Sequence, residues 1–138
     1  SPSIVVDSAH NPAGAAALAS ALEETFHFDY LVGVYSAMAD KNIEMTLAEM
    51  EPTVDQLVIT TMSSPRAADI EELETIAADV FGEDRVHVEE SLIDAVDKAS
   101  ELVDAVLDPS LTKGVTIFGS VYLAGEATAL LRPDQRIG

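Results

Sequence analysis

Apolar residues recur in two rhythms that alternate from one end of the chain to the other. Short, nearly continuous apolar runs stand at residues 4–6, 30–34, 57–60, 86–88 and 115–118. Runs of that length, apolar at almost every position, predict strands buried on both faces. Between them the spacing changes. Leu18, Leu22 and Phe26 fall four apart. Ile70, Leu73, Ile76, Ala77 and Val80 follow a three-four spacing, as do Leu92, Ala95, Val96, Ala99, Leu102, Val103 and Val106. That spacing predicts helices with one apolar face. A weaker helical pattern covers residues 43–51 and stops at Pro52, because proline cannot continue a helix. The last runs from about Tyr122 to Leu131, ahead of Pro133.

Strand, helix, strand, helix with short connections implies right-handed crossovers. The expected fold is α/β: a three-layer α/β/α, Rossmann-like domain with a mainly parallel sheet of about five strands. No internal repeat, low-complexity tract or linker interrupts it, so residues 1–138 read as a single domain. The periodicity leaves the strand order open. The chain opens Ser-Pro-Ser without Met, as expected of a processed chain or a piece of a longer one.

Charge narrows the partners. The chain carries 25 acidic against 7 basic residues, a formal net charge of −18. Phosphate backbones need clustered Lys and Arg, so a nucleic-acid partner is not expected, nor is an anionic membrane surface. There is no Cys, no spanning apolar run and no signal-like start; the expected location is the cytoplasm. The cations are Lys41, Arg66, Arg85, Lys98, Lys113, Arg132 and Arg136. An anionic ligand has few residues to hold it.

In a parallel α/β sheet, ligands bind beyond the carboxyl ends of the strands. The first such segment is "DSAHNP", residues 7–12. Pro12 suits a first helical turn, and Asn11 suits the cap before it, with Ser8 as an alternative cap. Asp7 at the strand tip can accept from ribose hydroxyls, and His10 can bond or stack. The blander use of Asp7 and Asn11 is to satisfy free amides at the helix start. The second segment, "SAMADKN", carries Lys41; the third, "TTMSSPRAADI", carries Arg66. Together with a helix dipole, two such cations suit a carboxylate or phosphate. Their alternatives are surface pairs: Lys41 with Asp40 or Glu44, Arg66 with Asp69 or Glu72. The fifth strand runs into "FGSVYLAGEATALL", where Gly119 and Ser120 allow either a close ligand or tight packing. There is no GxxxxGK[ST], no GxGxxG after the first strand and no GxSxG around Ser120. The histidines at 10, 27 and 87 lack metal-ligand spacing, so no metal site is expected.

Taken together, "VVDSAHNPAGAAALASAL", "MADKN", "SSPRA" and "FGSVYLAGEATALL" resemble the C-terminal domain of the folylpolyglutamate synthase / dihydrofolate synthase family, within the Mur ligase superfamily. The similarity runs over almost the whole chain, in order. Ser8 stands where the family has Gly, and Asn42 where it has an acid. The resemblance implies an ATP-dependent ligase that activates a carboxylate on folate or dihydropteroate as an acyl phosphate, which the amino group of L-glutamate attacks. It implies ATP contacts at Asp7, His10 and Asn11, and glutamate contacts at Lys41, Arg66 and Ser120. It also implies that the P-loop and the Mg ion belong to an upstream domain of the same polypeptide, so that this part alone is inactive and the full-length enzyme is a monomer. The alternatives are the C-terminal domain of a peptidoglycan Mur ligase, a non-enzymatic Rossmann-like docking module and a nucleotide sensor. A further expectation concerns residues 4–6. Without an antiparallel neighbour, they form an open sheet edge able to pair with a second copy.

Overall fold

The computed structural model describes residues 3–131. Pro133 and the cations Arg132 and Arg136 lie outside the described residues. Five strands and five helices alternate: β1 (Ser3–Val6), α1 (Pro12–Ala21), β2 (Tyr30–Tyr35), α2 (Ile43–Met50), β3 (Gln56–Ile59), α3 (Ile70–Phe81), β4 (Val86–Val88), α4 (Leu92–Asp104), β5 (Lys113–Phe118) and α5 (Val121–Leu131). The strand order is β1-β5-β2-β3-β4, and every pairing is parallel. The expected three-layer α/β/α class is therefore the observed one. β5 is last in sequence but sits between β1 and β2, which periodicity alone could not reveal.

Side-chain alternation divides the core. Leu31, Tyr35, Leu57, Ile59 and Phe118 face α1, α2 and α3, meeting Leu18, Leu47, Met50, Leu73 and Ala77. Val32, Val34, Val58, Val115 and Ile117 face α4 and α5, meeting Ala95, Ala99, Val103, Leu123 and Ala127. Both sheet faces are covered, which is why the strands read as continuous apolar runs.

Two helix expectations are corrected. The α-helical spacing of Leu18, Leu22 and Phe26 does not carry through. α1 ends at Ala21, and a π turn, Leu22–Phe26, follows, ending at His27 in the left-handed region (φ 53°). The wider turn rotates Phe26 off the buried face. It stays 43% exposed and stacks on Phe28 with ring centroids 5.7 Å apart. The pattern to Val106 also overshoots, because α4 ends at Asp104. Phe28 fills the space over Gly114 on β5, where a Cβ would collide with its ring.

Aspartates and one arginine fasten the amino edge of the sheet. Asp55 accepts from the Leu31 amide at 2.8 Å, and Asp29 accepts from the Thr112 amide at 2.8 Å. Arg85, just before β4, donates to the carbonyls of Glu51 (3.0 Å), Val54 (2.6 Å), Asp55 (3.1 Å) and Phe81 (3.4 Å). Its Nη1 also pairs with Glu51 Oε2 at 2.8 Å, and its guanidinium lies 4.9 Å from the Phe81 ring centroid. The planar fork thus ties the α2–β3 connection to the end of α3.

An Arg85→Ala variant should lose about 2 kcal/mol, because several backbone carbonyls lose a charged donor at once. Glu51→Ala should lose under about 1 kcal/mol, since the partly exposed ion pair contributes little. Urea unfolding of both variants checks the ranking; equal losses would refute it. The free side of β1 makes a second expectation: the isolated chain should self-associate through that edge. A sedimentation series over a wide concentration range that shows monomer alone would rule this out.

Candidate functional site

The carboxyl ends of β1, β5, β2 and β3 lie side by side in that order. The four connections that follow them carry all six candidate residues. Asp7, His10 and Asn11 follow β1; Ser120 follows β5; Lys41 follows β2; Arg66 follows β3. Neighbouring strands are spaced by about 4.8 Å, so the row spans roughly 14 Å from the first loop to the last.

At the β1 end, Asp7 continues the ladder, its amide donating to the Ile117 carbonyl at 2.9 Å. Its Oδ1 accepts from the Ala9 amide at 2.8 Å, which tightens the turn, while Oδ2 makes no hydrogen bond among the described residues. His10 Nδ1 lies 3.0 Å from the Ser8 carbonyl. A carbonyl can only accept, so Nδ1 carries the proton and Nε2 is left as an acceptor. Asn11 is the N-cap of α1, with φ −142° and ψ 169°, and its Oδ1 accepts from the Gly14 amide at 2.7 Å. Pro12 then fits the first turn, where no donor is needed. Ser8 does not cap the helix; its carbonyl orients His10 instead. These residues line a shallow groove of about 360 Å³ with Gly14, Ala17 and Leu18. A Cβ on Gly14 would sit 3.2 Å from Asn11 Oδ1, so the groove floor is smooth where the helix begins. Among the described residues no lysine or arginine lines it. Its chemistry suits the hydroxyls and ring of a nucleoside better than a run of phosphates.

The β2 and β3 connections are stitched together. Met38 bridges Ala67 in antiparallel fashion. The Ala39 amide donates to the Arg66 carbonyl, and the Ala68 amide to the Ala37 carbonyl, both at 2.8 Å. An open hollow of about 290 Å³ is lined by Ala39, Asp40 and Arg66, beside half-buried Lys41. The surface pairs foreseen for Lys41 and Arg66 do not form. Among the described residues the one ion pair is Arg85–Glu51, at the opposite edge. Asn42 caps α2, accepting from the Met45 amide at 3.3 Å.

Between these two halves, Gly119 takes φ 121°. A Cβ there would collide with the Ser36 carbonyl and approach the Tyr35 ring at 2.8 Å. Tight packing of β5 on β2 therefore explains the glycine. Ser120 is 2% exposed, and its hydroxyl accepts from the Tyr122 amide at 3.0 Å, capping α5. Tyr122 itself is on the rim, 55% exposed. Beneath the rim, Tyr35 and Phe118 pack with centroids 4.9 Å apart, and burial pushes the Tyr35 phenol well above its usual range. That phenol stays neutral.

Sequence reasoning missed Ser36 and Thr60. The Tyr35–Ile59 register puts them on adjacent strand ends, facing α4 and α5, where both hydroxyls are buried without a partner among the described residues. It also missed Glu126, whose Oε1 accepts from the Ser63 amide at 2.7 Å. Neither has a local signal, since each depends on contacts far apart in sequence. No group of three or more His, Cys, Asp or Glu among the described residues could hold a metal.

Residues 1–120 match the family model described as "Mur ligase, glutamate ligase domain". The chain is 46% identical to the dihydrofolate synthase/folylpolyglutamate synthase of Mycobacterium tuberculosis over 96% of its own length and 29% of that protein's. It is 31% identical to a probable bifunctional folylpolyglutamate synthase/dihydropteroate synthase of Halobacterium salinarum, over 91% of this chain and 14% of that one. A crystal structure of M. tuberculosis folylpolyglutamate synthase complexed with ADP and AMPPCP superposes with a TM-score of 0.90 at 47% identity, covering 97% of this chain and 30% of that chain. The chain thus spans under a third of the length of these relatives. With the matched segment running from β1 to Ser120, the residue before α5, the chain belongs to the Mur ligase family, as its glutamate ligase domain.

Proposed function

We propose that this chain is the closing domain of an ATP-dependent ligase that adds L-glutamate to folate or dihydropteroate through an acyl phosphate. The observation that carries the reading is the two-part rim. Among the described residues, a groove without cations at Asp7–Asn11 stands beside two cations, Lys41 and Arg66, that form no ion pair. The structural relative complexed with ADP and AMPPCP supports a nucleotide as ligand.

In this reading, Asp7 Oδ2 and His10 Nε2 accept from hydroxyls of the nucleoside. Asn11 holds the helix start against it by capping Gly14. Lys41 and Arg66 hold the carboxylates of the incoming glutamate, and Ser120, by capping α5, fixes the wall between the two ligands. Placing the amine close to an activated carbonyl supplies rate mainly by positioning. ATP supplies the phosphoryl group that activates the folate carboxylate. In this reading the Mg ion and the P-loop belong to an upstream domain of the same polypeptide. The full-length enzyme is read as a cytoplasmic monomer.

Exposed apolar residues support closure against another surface. Met45, Ile93, Val121 and Tyr122 are 50–64% exposed and all sit in first turns of helices that open at the carboxyl edge. Covering them would exclude water from a hydrolysable intermediate.

In the full-length ligase, Asp7→Ala and His10→Ala should each lower kcat about a hundred-fold, the scale of lost positioning. Lys41→Ala and Arg66→Ala should raise KM for glutamate about ten-fold, the scale of one lost charge-assisted contact. Steady-state assays with glutamate, diaminopimelate and alanyl-alanine as acceptors decide the matter. Unchanged constants in all four variants would leave only a docking module, and preference for diaminopimelate would move the chain to the peptidoglycan branch. The isolated 138-residue chain should show no ATP-dependent glutamate addition; measurable turnover would contradict the assigned division of labour.

A further inference from the structure

We propose that Glu126, on α5, is a positioning residue for Arg66, and so for the glutamate half of the site. The inference rests on the assignment of Arg66 to glutamate given above.

The segment between β3 and α3 has to project Arg66 from the rim without any regular structure of its own. Its downstream end is well secured by the Met38–Ala67 bridge and by the amides of Ala39 and Ala68. Its first residues are tied by Thr61, whose hydroxyl donates to the Glu90 carbonyl at 2.6 Å. The middle of the segment turns on itself, the Ser64 amide donating to the Met62 carbonyl at 2.9 Å and the Ala67 amide to the Ser64 carbonyl at 3.2 Å, and side chains tie these turns to the rest of the molecule. Ser64 Oγ accepts from the Arg66 amide at 3.2 Å and donates toward Met38 Sδ at 3.5 Å. The Ser63 amide has one partner, Glu126 Oε1, at 2.7 Å. At 2.7 Å it is a short bond to a carboxylate oxygen, of the charge-assisted kind. It is the link that fastens the apex of the Arg66 segment to a helix.

The placement is economical in what it touches. Glu126 is half-buried, is not part of either apolar core, and lines the shallow groove between α4 and α5. Removing its carboxylate leaves the core and the strand ladder unchanged. What changes is the position of Ser63, and through the Ser64 hydroxyl that of Arg66. The effect belongs on glutamate binding and not on the nucleotide side, because among the described residues Asp7, His10 and Asn11 share no hydrogen bond with this segment.

Two substitutions in the full-length ligase separate the cases. Glu126→Leu keeps most of the side-chain bulk, one atom shorter, and removes the acceptor; Glu126→Gln keeps the length and an acceptor oxygen. In Glu126→Leu, KM for glutamate should rise roughly ten-fold with kcat and KM for ATP within about two-fold, the size expected on losing one charge-assisted hydrogen bond. Glu126→Gln should restore most of it. Hydrogen–deuterium exchange of residues 60–67 in the same proteins gives an independent readout, faster in Glu126→Leu and near wild type in Glu126→Gln. Unchanged exchange in Glu126→Leu would overturn the proposal. So would faster exchange with unchanged KM while Arg66→Ala raises it, or a Glu126→Gln defect equal to that of Glu126→Leu. An Arg66→Ala variant with wild-type KM would instead defeat the assignment of Arg66, and the exchange rates would still report whether Glu126 holds the segment.

Discussion

The carboxyl edge is organised by a place where no side chain fits. Gly119 brings the end of β5 against the Ser36 carbonyl at the end of β2, in a backbone conformation (φ 121°) that other residues adopt only with strain. Any Cβ there would force the two strand ends apart. Because β5 lies between β1 and β2, that separation would also part the Asp7 loop from the Lys41 loop. The row of connections that forms the rim is continuous only while this contact holds. The placement of the rim side chains is therefore subordinate to a packing requirement one layer below them.

Much of the fold was legible because burial on two faces leaves an unmistakable trace. Val32, Val34, Val58 and Val115 are apolar for the α4/α5 face, and Leu31, Leu57 and Phe118 for the other; the sum is a strand with no polar gap. Asn11 followed by Pro12 announced a helix start, and the cap is there. The π turn was not legible, because Leu22 and Phe26 have the same spacing whether the helix tightens or widens. The order of the strands was hidden because it is set by which crossover folds back, a long-range choice. At the site, residue types at strand ends picked out Asp7, Lys41 and Arg66. The family resemblance is what singles them out as candidates for more than capping. The antiparallel Met38–Ala67 bridge and the Glu126–Ser63 bond join segments about thirty and sixty residues apart, and no periodicity encodes them.

Charge operates on two scales here. The chain as a whole is strongly acidic, yet its rim presents two cations that are not paired within the described residues. Solvent and salt screen exposed charges beyond about 8–10 Å, so the distant acidic surface weakens anion binding far less than the net charge suggests. Close to the rim, the local balance is set by Lys41, Arg66 and the neighbouring Asp40. Any selection at this mouth would rest on short-range arrangement, while the acidic remainder disfavours phosphate-rich polymers.

The Arg85 hub lies at the other end of the strands, before β4, and gathers four backbone carbonyls and one carboxylate. A strand of six residues such as β5 separates the two edges by roughly 20 Å. Robustness and recognition thus occupy opposite poles of the same sheet. Heat tolerance can be engineered around the hub, or eroded by drift there, while the ligand-facing pole keeps its shape, so the two properties are free to evolve at separate rates.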